Sequence, residues 1–177
     1  LRSVVLSLQH ESGVDTSTLR GDAIATLADA LQRVSSLPGA PALTLRDVDV
    51  LVNPAGPFVQ GGPLADSGLS GRKIVIDSYG PAVPVGGGSF SGKDGTKVDR
   101  SGAYAARRIA KSVVAGGLAR ECLVRMDFSP GLAEPLAVTI LADGAPLPED
   151  VASRIVARVD LTPAGMVRDL LLDDLPF

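Results

Sequence analysis

Between Asn53 and Lys97 the chain is so dense in Pro, Gly and Ser that little regular structure can form there. Only Arg72–Ser78 (RKIVIDS) interrupts this texture, and its β-branched run predicts a short strand. The stretch Gly80–Thr96 (GPAVPVGGGSFSGKDGT) is too Gly-rich for helix or sheet. A loop this long in a small domain is either functional or disordered. The folded framework must therefore come from the two flanks.

In the first flank, Ser3–Gln9 (SVVLSLQ) predicts a strand. Asp15 suits the N-cap of a helix over Thr16–Val34, where Leu19, Ala23, Leu27, Ala30, Leu31 and Val34 recur at helical spacing. Ser35–Pro41 ends it, and Val48–Val52 predicts a second strand before the turn Asn53-Pro54-Ala55-Gly56. In the second flank, Asp99 is expected to cap a helix over Arg100–Ala115, with Ala103, Ala106, Ile109, Ala110 and Val113 on one face and Gly116-Gly117 as its stop. Leu123–Phe128 and Leu136–Leu141 predict strands joined through Pro130-Gly131. Pro148–Val159 and Pro163–Leu172 predict helices. The order β-α-β, loop, β-α-β-β-α-α predicts an α+β fold with helices on one face of each sheet.

The 177 residues allow one domain or two small ones. Hydrophobic residues reach 45%, but only four Phe and two Tyr are aromatic, so the core must be aliphatic. Seventeen basic against twenty acidic residues leave a net charge of −3, which argues against a general nucleic-acid binder. A single cysteine, Cys122, excludes an internal disulfide framework and favours a reduced, cytoplasmic setting. A single histidine, His10, excludes a two-His zinc site within one chain. No apolar run approaches the length of a membrane span, and Leu1–Gln9 lacks the layout of a signal peptide. The start at Leu1 leads us to expect residues upstream or an internal mature start.

Charge is densest around the glycine-rich loops, at Asp66, Arg72, Lys73, Lys93, Asp94, Lys97, Asp99 and Arg100. Glycine lets main-chain N–H groups approach a polyanion, Lys and Arg add charge, and carboxylates suit Mg2+ shared with phosphate oxygens. Composition alone equally allows a surface loop with solvated lysines. Gly87–Lys93 (GGSFSGK) fits G-x-x-x-x-G-K, but Asp94 stands where a P-loop needs Ser or Thr, and the predicted strand ends well before it. His10 beside Glu11 suits a structural hydrogen bond, and Cys122, opening an apolar strand, suits an inert thiol. Glu134 and Asp173-Asp174 suit solvated positions. No G-x-S-x-G elbow occurs.

Asn53–Gly80 (NPAGPFVQGGPLADSGLSGRKIVIDSYG) followed by Gly86–Lys111 (GGGSFSGKDGTKVDRSGAYAARRIAK) resembles S-adenosylmethionine synthetase, also called methionine adenosyltransferase. Val4–His10 (VVLSLQH), Ala133-Glu134-Pro135 and Leu161–Leu172 agree with it. The resemblance covers nearly the whole chain but only the family's central and C-terminal portions.

The resemblance implies β-α-β units whose flat sheet face pairs subunits. It also implies a transferase reaction in which the sulfur of L-methionine attacks C5′ of ATP. The triphosphate departs and is hydrolysed to phosphate and diphosphate. Carried over by motif, Lys93, Arg72 and Lys73 clamp the phosphates, Asp99 holds Mg2+, Lys97 and Asp66 place methionine and the nucleoside, and Phe58 stacks on adenine. K+ is a further cofactor the resemblance allows. The family's Gly-His-Pro-Asp-Lys and Asp-Ala-Lys-Ser segments do not occur here, nor does Tyr-Gly-His-Phe-Gly. Pro57 stands in place of a usual Arg, and Gly80–Val85 carries no basic residue.

The expectation is therefore a subunit of a split, heteromeric synthetase, inactive alone, whose partner subunit carries the N-terminal half. The alternatives are a non-catalytic regulatory or scaffolding subunit, or a trimmed piece of an ordinary synthetase. An obligate oligomer with neither nucleic acid nor membrane as partner is expected. The expected division groups residues 1–10 with 123–177, and gives residues 11–122 the phosphate-binding loops.

Overall fold

The structure, a computed structural model, describes residues 2–68, 71 and 73–174. Packing gathers the chain into two compact units, Leu1–Gly68 with Ser129–Leu132, and Leu69–Phe128 with Ala133–Phe177. The N-terminal strand, by pairing with Asp49–Val52, thus groups with residues 11–68 and with Ser129–Leu132.

In the first unit, β1 (Ser3–Leu6) and β2 (Asp49–Val52) pair in parallel, with Val4 opposite Val50 and Leu6 opposite Val52. A parallel pair needs a crossover, which α1 (Thr16–Ser35) supplies. Asp15 caps it as expected. Its carboxylate accepts the Ser17 hydroxyl and, at 2.9 Å, the Thr18 N–H, and these bonds hold it below its ordinary pKa. Arg20 reaches from α1 to the Val50 carbonyl at 2.7 Å. Asn53, at φ 47°, then substitutes for strand backbone. Its amide oxygen accepts Leu8 N–H at 2.7 Å and its amide nitrogen donates to the Leu8 carbonyl at 2.9 Å.

In the second unit, α2 (Ile74–Ser78) is a helix where the sequence predicts a strand. Strand preference depends on having a neighbour to pair with. This segment instead closes its own hydrogen bonds, Asp77 N–H to the Lys73 carbonyl at 2.8 Å and the Ser78 hydroxyl to the Ile74 carbonyl at 3.0 Å. Then follow α3 (Val98–Ala115), β3 (Cys122–Asp127) and β4 (Ala137–Ala142). The Asp143-Gly144 turn leads to β5 (Ala145–Pro146), in an antiparallel sheet ordered β3-β4-β5. Last come α4 (Glu149–Val156) and α5 (Pro163–Leu170).

Alternation decides the faces of this sheet. Val124 opposite Ile140 and Met126 opposite Val138 turn toward the helices. There they meet a buried cluster of Ala105, Ile109 and Val113 from α3 with Leu161 and Met166. The intervening pairs, Leu123 with Leu141 and Arg125 with Thr139, lie on the opposite face. The fold is α+β, and its core is aliphatic as composition required. Among the described residues no helix is long and apolar enough to cross a membrane.

Candidate functional site

In the second unit the glycine-rich loop folds onto the start of α3. The helix begins at Val98, not Arg100, and Asp99 is not its cap. The Asp99 carboxylate is engaged elsewhere, with the Lys93 ammonium 3.0 Å away. Asp99 still occupies the first turn, where a negative charge complements the helix dipole. Lys97 takes the N-cap position through its backbone, and its carbonyl accepts the Ser101 N–H at 3.1 Å.

Two glycines explain how the loop comes so close. A Cβ on Gly88 would lie 2.4 Å from one Asp99 carboxylate oxygen and 2.7 Å from Asp99 Cβ, so only glycine fits against this side chain. A Cβ on Gly95 would lie 3.0 Å from both Val167 and Leu172, which anchors the far end of the loop in the core. Asp94 makes a local turn between these anchors. Its carboxylate accepts the Thr96 hydroxyl and, at 2.8 Å, the Thr96 N–H, and Lys97 Nζ lies 3.5 Å away. These contacts, the hydroxyl first, hold the Asp94 carboxyl below its ordinary pKa.

The expected site residues therefore divide by unit. Lys93, Lys97 and Asp99 come together in the second unit, each cation already matched to a carboxylate. Lys73 is exposed just before α2. Arg72 lies outside the described residues. Phe58 and Asp66 belong to the first unit, where both are exposed. Among the described residues no group of three metal-ligating side chains occurs. The single Asp99 carboxylate beside lysines suits a Mg2+ completed by phosphate oxygens, not an all-protein cage.

Sequence reasoning counted Arg100 only among the charges around the loops, gave no role to Gln9, and treated His10 as a structural hydrogen-bonder. That role holds, and its target is the Phe58 segment. His10 N–H donates to the Phe58 carbonyl at 2.9 Å, and Phe58 N–H donates to His10 Nε2 at 3.3 Å. With Nε2 accepting, Nδ1 carries the proton toward the Glu11 carbonyl, 2.9 Å away. Gln9 donates to the Val59 carbonyl at 3.2 Å. No local pattern in the sequence announces pairings across about fifty residues. Cys122 is partly buried, and burial raises its thiol pKa, in keeping with an inert thiol.

The family profile described as "S-adenosylmethionine synthetase, C-terminal domain" matches residues 60–177. The chain belongs to the S-adenosylmethionine synthetase family. It is also similar to a solved structure described as an unusual S-adenosylmethionine synthetase from Campylobacter jejuni, at 35% identity and a TM-score of 0.54. That match covers 99% of this chain but 45% of the other, so the chain spans under half the length of this relative. S-adenosylmethionine synthetases are transferases that bind ATP and methionine and use Mg2+ and K+.

Proposed function

We propose that this chain supplies the triphosphate-holding part of a methionine adenosyltransferase site, completed by residues of a partner subunit. The observation that carries the proposal is the Lys93–Asp99 pair, held at 3.0 Å beneath a glycine that leaves no room for a side chain. A cation and a metal-binding carboxylate fixed side by side fit a Mg2+-bound polyphosphate leaving group.

Adenosyl transfer needs no enzyme nucleophile. It requires alignment of sulfur with C5′, and stabilisation of the charge that builds on the departing triphosphate. Asp99 would hold Mg2+, which would neutralise charge on the leaving group, and Lys93 would pair with a phosphate oxygen in place of Asp99. Lys73 and Arg72 add positive charge along the chain of phosphates, and Lys97 helps to place methionine and the nucleoside. In the first unit, Phe58 and Asp66 are the residues that the family resemblance gives to adenine and to the nucleoside and methionine. By the same resemblance, a K+ site would draw mostly on the portion of the family that this chain does not match.

The test is to isolate the chain with its partner and replace Lys93 by Ala. Turnover should fall by about a hundredfold, the typical loss of one charge-stabilising group. A stable complex with unchanged turnover refutes the shared site. A second proposal, a non-catalytic subunit that tunes a complete synthetase, draws on Pro57 and on the uncharged Gly80–Val85 segment. It requires a partner that is fully active alone, so assaying the partner by itself separates the two.

A further inference from the structure

We propose that Arg100 is the positioning residue that sets Lys93 for phosphate, acting through the loop backbone. The proposal deepens the phosphate-binding function above and rests on it. A glycine-rich segment has many conformations to lose, so a lysine carried on it needs an external anchor. Arg100 Nη1 donates to the Lys93 carbonyl at 2.6 Å. The guanidinium is aimed by a second bond, from Nε to the Tyr104 hydroxyl at 3.0 Å, and its carbon lies 5.6 Å from the Tyr104 ring centre. Phe90 meets the same ring edge-on, at 5.7 Å and 71°.

Phe90 and Lys93 are the two ends of a turn closed by Lys93 N–H to the Phe90 carbonyl at 3.2 Å. Both ends therefore rest on neighbouring side chains one helical turn apart on α3. Asp99 grips the Lys93 ammonium from the same helix. The two grips differ in what a ligand does to them. A phosphate takes the ammonium from Asp99, whereas the bond from Arg100 to the carbonyl survives and keeps the backbone in place. Lysine cannot replace Arg100, because one ammonium lacks the planar fork that spans a hydroxyl and a carbonyl together.

The test compares Arg100→Lys, Tyr104→Phe and Lys93→Ala in the full chain. It uses hydrogen exchange of the Phe90–Asp94 amides without ligand, and calorimetric titration with tripolyphosphate and Mg2+. Arg100→Lys should speed exchange of those amides by about tenfold and weaken tripolyphosphate binding by about tenfold. Tyr104→Phe should do the same to a smaller degree. Lys93→Ala should weaken binding by about a hundredfold while leaving loop exchange near the wild-type rate. Wild-type exchange in both Arg100→Lys and Tyr104→Phe overturns the anchor. Faster exchange with unchanged affinity overturns the positioning role. Failure of the wild-type chain to bind tripolyphosphate with its partner subunit present refutes the phosphate function itself, and the ligand-free exchange data show that outcome to be separate from failure of the anchor.

Discussion

Gly88→Ala isolates what the close approach of the loop to α3 is for. The added Cβ would meet Asp99 Cβ at 2.7 Å, where ordinary contact begins near 3.4 Å. The carboxylate can rotate away, but Asp99 Cβ is fixed to the helix backbone, so the loop must lift by about 0.7 Å. Overpacking of this kind costs about 1–3 kcal/mol, and an exposed loop that can yield lies at the lower end. Loss of the Lys93–Asp99 pair, whose side chains are 28% and 55% exposed, adds less than about 1 kcal/mol. The melting temperature should therefore fall by only about 2–5 °C. Function should suffer far more, because displacing a charge-stabilising group by about 1 Å costs on the order of a hundredfold. The assay pairs thermal melting with Mg2+-dependent tripolyphosphate titration. A Gly88→Ala chain that binds as tightly as wild type would show that contact with Asp99 does not set the site.

Two further outcomes test the frame around the site. Ile109→Ala, at a side chain only 2% exposed in the core of the second unit, should cost about 2–5 kcal/mol in urea unfolding, and a loss below about 1 kcal/mol would contradict the packing. Asp160 lies below its ordinary pKa of 3.8, first through the Thr162 hydroxyl, then through the Thr162 N–H and Arg168. A depressed folded value means that this contribution is complete above pH 3.8 and fades as pH falls through the folded value. Thr162→Ala should therefore raise the Asp160 midpoint in an NMR titration. It should also remove the cap of α5, where Thr162 accepts Gly165 N–H at 3.1 Å, for about 1 kcal/mol. An unmoved Asp160 midpoint would discount the hydroxyl.

Much of the framework was legible in the chain because its signals are local. Asp15 announces α1 through a cap it makes with its own next turn. The spacing of Ile109 and Val113 announces the buried face of α3, and the apolar run Leu136–Leu141 announces β4. The Asp143-Gly144 turn and β5, a strand too short to show any alternation of its own, were not read from the chain. The candidate site was legible as residue types in a motif, since GKD and KVD place Lys93, Lys97 and Asp99 within a few positions.

Sequence by itself determined which residues bear charge, where glycine must stand, and which helical and strand faces are apolar. Tertiary structure alone decided that Ile74–Ser78 coils where its side chains favour extension, because among the described residues no strand lies alongside to accept its hydrogen bonds. It also decided that Asp99 faces a lysine instead of capping its helix, and that Arg100 holds the backbone of Lys93. Such contacts depend on distances between segments that meet only after folding, and neither propensity nor periodicity carries that information.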